Sequence, residues 1–174
     1  MLESAGRLFA VHGIRAVGID QIITDAGVAK ASLYQAFGSK EALVVAYLER
    51  QDTIDRAAYR AATTGIDDPI ERVLRSFDLA IASAKQRAYR GCLFLNAATE
   101  FPQAEHPVGK AVETHRAWLR AEWVAALAEC GPERAMLVDR VQILYDGAVA
   151  GAKAARSVAP IVLGRQMARD LLAG

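Results

Sequence analysis

The sequence predicts an all-α fold, with a three-helix helix-turn-helix head at the N-terminus and a larger helical domain behind it. Three observations carry this reading. Residues 19–40, IDQIITDAGVAKASLYQAFGSK, read as a short helix, a glycine-centred turn, a second short helix and a lysine entering a third. Apolar residues recur at spacings of three and four nearly throughout, and no stretch alternates as a half-buried strand does. Alanine supplies much of the 53% apolar content, which suits close packing of helices.

Taken in order, the first helix covers about 1–12, with Ala5, Leu8 and Phe9 inward and Gly13 ending it. The second runs over 19–26, with Ile22, Ile23 and Ala26 on one face. Gly27 follows, where the chain must turn left-handed and glycine does so without steric cost. The third runs over 30–36, and Val28, Leu33 and Phe37 form its apolar side. Ser39 can cap the fourth helix, with Glu41 well placed in its first turn. That helix continues to about Thr63. Its middle, QDTIDRAAYRAA, is polar, as expected where a helix leaves one small core and enters another. Asp68-Pro69-Ile70-Glu71 is a helix start, with an N-cap acid, proline first and glutamate third. The fifth helix runs from there to about Lys85. Gly91 opens a short apolar helix that Pro102 stops, and Pro107 begins a long one to about Glu129. Gly131-Pro132 separates it from another over 133–156, and Pro160 starts the last. The expected division is a head at 1–47 and a helical domain at 48–174.

Charge narrows the partners. The net charge is +1, and residues 1–50 hold five basic groups (Arg7, Arg15, Lys30, Lys40, Arg50) against five acidic ones (Glu3, Asp20, Asp25, Glu41, Glu49). A neutral head argues against strong non-specific DNA binding, which rests on phosphate neutralisation. Two or three well-placed basic residues remain compatible with it. Cys92 and Cys130 are far apart and form no CxxC, so the expectation is two small hydrophobic thiols in a reducing cytoplasm. Glu3 and Arg7 interrupt any signal-peptide core, and no run approaches the ~20 apolar residues that span a bilayer. A soluble, cytoplasmic protein with no membrane partner is expected.

Residues 8–49, LFAVHGIRAVGIDQIITDAGVAKASLYQAFGSKEALVVAYLE, resemble the head of the TetR family of transcriptional regulators. The Leu-Phe of the first helix, the Gly13 turn, the Ala-Gly-Val turn, Leu-Tyr-x-x-Phe and Ser-Lys-Glu all fall in register, and agreement at so many spaced positions is specific. RGCLFLNAATEFPQAEHPVGKAV is similar to the ligand domain of one branch. The resemblance implies a homodimer that represses a promoter by binding a double-stranded operator until a small-molecule effector binds the second domain. It implies no cofactor. Two departures stand out. Gly18 and Ala29 occupy positions where the family usually has Ser or Thr, and Gln35 and Ala36 replace a basic or aromatic residue and a His. The family usually carries several basic residues before the first helix, so a short basic arm ahead of Met1 is expected.

The expected DNA-binding residues are Lys30, Ala31, Ser32, Tyr34, Gln35 and Lys40. Lys30 and Lys40 stand at helix starts where phosphate can be met. Ala31 and Ser32 are small enough for close approach to the groove, and Gln35 can read an adenine edge. Tyr34 takes from the resemblance a contact to backbone and thymine methyl.

In the second domain, Val112, His115, Leu119, Trp123, Ala126 and Cys130 form a stripe on the 107–129 helix. The next helix is rich in small residues (Gly147, Ala148, Ala150, Gly151, Ala152). These two helices are expected to form a four-helix bundle with a second subunit. An effector pocket is expected among the intervening helices, with Phe77, Phe94, Asn96, His115, Trp118 and Tyr145 as candidates. His106, His115 and Glu100 lack recognisable ligand spacing, so no metal site is expected. An enzyme is the weaker reading: there are no facing Glu-x-x-His pairs and no signature around either cysteine. The alternative of weight is a dimeric, helical small-molecule-binding protein whose DNA binding is weak or lost.

Overall fold

The computed structural model describes residues 1–103 and 105–174. They form α1 (Leu2–His12), α2 (Ile19–Ala26), α3 (Lys30–Phe37), α4 (Lys40–Thr63), α5 (Pro69–Gln86), α6 (Leu93–Glu100), α7 (Pro107–Ala128), the single turn α8 (Pro132–Ala135), α9 (Val138–Ala155) and α10 (Ala159–Ala173). No strand occurs among the described residues. The chain divides into two compact units. The first comprises Met1–Ile54 with Leu93–His115, and the second Asp55–Cys92 with Arg116–Gly174. The break in α4 falls inside its polar middle.

In the first unit the head packs around Phe9, Ile14, Val17, Ile22, Leu33, Leu43, Val44 and Leu48, all buried. Segment 93–115 adds buried Leu93, Phe94, Ala97, Phe101, Val108 and Val112. Helices α1 and α4 approach closely: a Cβ on Gly6 would stand 2.6 Å from the Tyr47 ring, and that ring meets Phe9 edge-on at 5.6 Å. Arg7 reaches across to Asp25 at 2.8 Å and so pins α1 to α2. At the α2–α3 turn Gly27 adopts φ 65°, ψ 33°, and its N–H bonds the carbonyls of Ile23 and Thr24. This is the left-handed residue that the turn demands.

In the second unit α5, α9 and α10 enclose Val73, Leu74, Phe77, Val138, Val141, Ala148, Val149, Ala152, Ile161, Ala168 and Leu172, with Trp123 and Leu127 of α7. A Cβ on Gly164 would lie 2.7 Å from that of Ala148, so glycine permits the close crossing of α9 and α10. Arg165 ties α10 to α5 through Asp78 at 2.7 Å and Glu71 at 3.3 Å. The Asp68 carboxylate caps α5, accepting from the Ile70 N–H at 2.8 Å.

Two expectations need correction. The 133–156 segment is not one helix but α8 and α9, parted at Met136 and Leu137. No glycine or proline marks that break. Both residues keep right-handed backbone angles (Met136 φ −68°, ψ −14°; Leu137 φ −81°, ψ −8°), and the Leu137 N–H bonds the Arg134 carbonyl, so the interruption is a tightened turn with Met136 exposed and Val138 and Val141 buried. The α7 stripe is also not free for a subunit interface, because Val112, His115, Leu119, Trp123 and Ala126 are all buried within the chain. The large apolar side chains left in solvent lie elsewhere, at Ile143 on α9 and Val162, Leu163 and Met167 on α10.

Candidate DNA-reading helix and effector region

Helix α3 buries Leu33 completely and presents Lys30, Ala31, Ser32, Tyr34, Gln35 and Ala36 to solvent. Phe37, expected in the core, is half-buried. Tyr34 is 45% exposed. The N-terminus of α3 is extended at Ala29 (φ −71°, ψ 149°) and has no side-chain cap. One of its leading N–H groups is thereby left open, a feature that attracts phosphate at helix starts.

The head's basic side chains are largely engaged by the protein. Lys30 donates to Asp20 at 3.0 Å, and this exposed pair raises the lysine's proton affinity, chiefly through the hydrogen bond. Lys40 donates to the Arg15 carbonyl at 3.1 Å. Its partial desolvation, the largest influence on it, lowers its pKa below the ordinary lysine value, while the Glu100 charge works against that shift. The Arg15 guanidinium lies 5.0 Å from the Phe101 ring centroid. Ser39 accepts from the Ala42 N–H at 3.0 Å and caps α4 as expected.

Of the six effector candidates, Phe94, Asn96 and His115 belong to the first unit and Phe77, Trp118 and Tyr145 to the second. Phe94 and His115 stack in the first unit, 3.6 Å apart and 4° from parallel, and His115 Nδ1 lies 2.8 Å from an Asp52 oxygen. Asn96 is in the same unit, half-buried and with a partner of its own. In the second unit Tyr145 is held between Phe77, edge-on at 5.2 Å, and Trp123 at 5.6 Å. Trp118 has Tyr59 edge-on to it at 5.8 Å, Arg56 over its ring and its indole N–H on Glu122. Trp123 is fully buried, yet its indole N–H has no hydrogen-bond partner. Burial pushes the Tyr145 phenol well above the ordinary tyrosine value, and burial does the same to Tyr59.

The three residues considered for a metal go separate ways. Glu100 binds backbone N–H groups of Ile14 and Arg15. His106 accepts from the Val108 N–H and faces Glu41 at 3.4 Å, while His115 faces Asp52. Among the described residues no group of three metal-ligating side chains converges.

The model of bacterial regulatory proteins of the TetR family matches residues 1–47. SCO4454, a TetR-family transcriptional regulator from Streptomyces coelicolor, is 32% identical, covers 98% of this chain and 93% of its own, and superposes with a TM-score of 0.86. This chain belongs to the TetR family of transcriptional regulators. A TetR-family regulator from Streptomyces avermitilis is 26% identical, with a TM-score of 0.85 over 99% of this chain and 95% of its own. The repressor KstR2 of Mycobacterium tuberculosis is 28% identical over 127 residues, 73% of this chain. The match spans 62% of KstR2, and 66% of an HTH-type regulator from the same organism that is 26% identical over 140 residues.

In this TetR-family chain the roles of three residues lie outside any local pattern. Trp123 belongs to the α7 stripe, and its unpartnered indole is visible only in three dimensions. Asp52 and Glu100 carried no local motif, because their partners lie 63 and up to 86 residues away in the chain.

Proposed function

We propose that this TetR-family protein is a homodimeric DNA-binding repressor, acting in the cytoplasm, whose hold on its operator is weakened by a small molecule bound in the second unit. The observation that carries the reading is α3. A left-handed glycine turn precedes a helix with one buried anchor, Leu33, and an outer face of small and hydrogen-bonding side chains. That face suits the major groove, with Gln35 and Ser32 offered to base edges and Tyr34 to backbone and thymine methyl. Lys30 and Lys40 are the phosphate contacts. Each first gives up or shares a protein partner, which lowers the sequence-independent phosphate contribution to binding.

The Phe77, Trp123 and Tyr145 cluster is the favoured effector seat. An enclosed aromatic group with one unpartnered indole donor suits a mostly apolar ligand carrying a hydrogen-bond acceptor. Dimerisation is assigned to α9 and α10. Ile143, Gly147, Ala150 and Ala154 form an exposed stripe of mainly small residues beside Val162, Leu163 and Met167. Two such pairs make a four-helix bundle about a two-fold axis. The dimer then presents two copies of α3 about one DNA turn apart, ~34–36 Å. Effector and operator affinities are reciprocally coupled.

The test is a mobility shift of the purified protein with its own upstream DNA against unrelated DNA, at two salt concentrations. Preferential retention that salt and Tyr34→Ala both weaken is expected. Absence of any DNA binding at low salt would favour the alternative, a dimeric small-molecule binder. The observation behind that alternative is the uncapped Ala29 in a head of zero net charge.

A further inference from the structure

We propose that Glu100, the last residue of α6, is the tether that sets the position of the DNA-reading head. The role rests on the DNA-binding reading above. Between α1 and α2 the chain runs through an irregular turn whose backbone donors need partners. Two of those donors are satisfied from far along the chain: one Glu100 oxygen accepts from the Ile14 N–H at 3.1 Å, the other from the Arg15 N–H at 2.6 Å. Gly13 enables the approach. It adopts φ 85°, and a Cβ there would lie 3.3 Å from the same carboxylate.

The residues around this contact hold the same turn. The Arg15 carbonyl takes the Lys40 ammonium, and the Arg15 guanidinium covers Phe101, the residue after Glu100. The Phe101 ring lies 4.7 Å from that of His106, which faces Glu41 on the first turn of α4. The turn therefore meets α6 through its N–H groups and α4 through its carbonyl. A contact to backbone donors has a mechanical consequence. A side-chain donor could swing away when α6 shifts, but Ile14 and Arg15 move only with the chain that leads directly into α2. Charge-assisted bonds to two adjacent donors also resist sliding. A displacement of α6 is passed to the helix-turn-helix through one carboxylate.

The test combines amide hydrogen exchange with DNA binding for Glu100→Gln, in which an amide replaces one acceptor oxygen and leaves two donors facing one. Exchange at Ile14 and Arg15 is expected to rise about tenfold or more, with Ile22 and Leu33 unchanged and the circular dichroism preserved. Affinity for the upstream DNA fragment falls in parallel. Glu100→Asp, which keeps both acceptors on a shorter stem, should restore part of both, and it is read in the same way if Glu100→Gln does not fold. Unchanged exchange at Ile14 and Arg15 would overturn the tether. Faster exchange with unaltered DNA affinity would overturn it too, since Glu100 would then only satisfy the turn. If the wild-type chain shows no preference for the fragment, the DNA-binding reading falls and takes the positioning role with it, whatever the exchange at Ile14 and Arg15.

Discussion

The Lys40 ammonium donates to the backbone carbonyl of Arg15 at 3.1 Å, so the lysine expected to meet phosphate already braces the turn that precedes α2. An ammonium has three donors, and one bond to a carbonyl leaves it able to reach a phosphate as well. Lys40→Ala should weaken binding about equally across DNA sequences and reduce the salt dependence of log K by about one unit. An unchanged salt dependence would assign Lys40 to the turn alone.

Helix α3 starts at an alanine whose extended backbone, φ −71° and ψ 149°, is that of an N-cap with no side-chain acceptor. Ala29→Ser supplies the missing oxygen without altering the chain. It should stabilise the head by about 0.5–2 kcal/mol, readable as an upward shift in denaturant midpoint at constant slope. No gain would mean that serine finds a rotamer other than the capping one.

Burial raises the pKa of the Tyr145 and Tyr59 phenols above the ordinary value. In the unfolded chain both ionise near pH ~10, while in the folded chain both stay protonated to higher pH. Above that point the unfolded state binds fewer protons, so stability falls as pH rises, by up to about 1.4 kcal/mol per pH unit for each phenol. Thermal melting between pH 8 and 11 should show this alkaline loss, and Tyr145→Phe should remove roughly half of its slope. A melting temperature flat through pH 11 would contradict the burial of both hydroxyls.

Ile143 is 72% exposed and Leu163 61%, an apolar pair that a lone chain would leave in water. Light scattering at micromolar concentration should give twice the chain mass of 18.7 kDa. A charge on that exposed face, as in Leu163→Glu, should yield the single chain with its helical content intact. A wild-type monomer would remove the dimer from the proposal.

The legible parts of this molecule are those whose causes are local. Gly27 announces its turn because a left-handed residue is needed between two short helices, and Asp68-Pro69 announces α5 because cap and first turn are adjacent in sequence. Leu33 announces the buried side of α3 by its spacing. The α8–α9 break is not legible in this way. Met136 and Leu137 carry no breaking signal, and their backbone stays right-handed with only the hydrogen-bond pattern tightened. Nor is the stacking of Phe94 on His115 or the edge-on packing of Phe77 on Tyr145, since an aromatic residue on an apolar face looks the same whichever ring receives it.

The sequence by itself determined the helical class, the order of the helices and the helix-turn-helix, which rest on short-range periodicity, capping and turn chemistry, and the resemblance of residues 8–49 pointed to the family. Tertiary structure alone decided which helix surface stays apolar in solvent. Spacing marks an apolar stripe on α7, and only packing shows that this stripe is consumed inside the chain while Ile143 on α9 and Leu163 on α10 are left in solvent. It also decided what Glu100 and Lys40 do. Hydrogen bonds between residues 25 to 86 positions apart depend on where the chain returns, and no local pattern of side chains encodes that return.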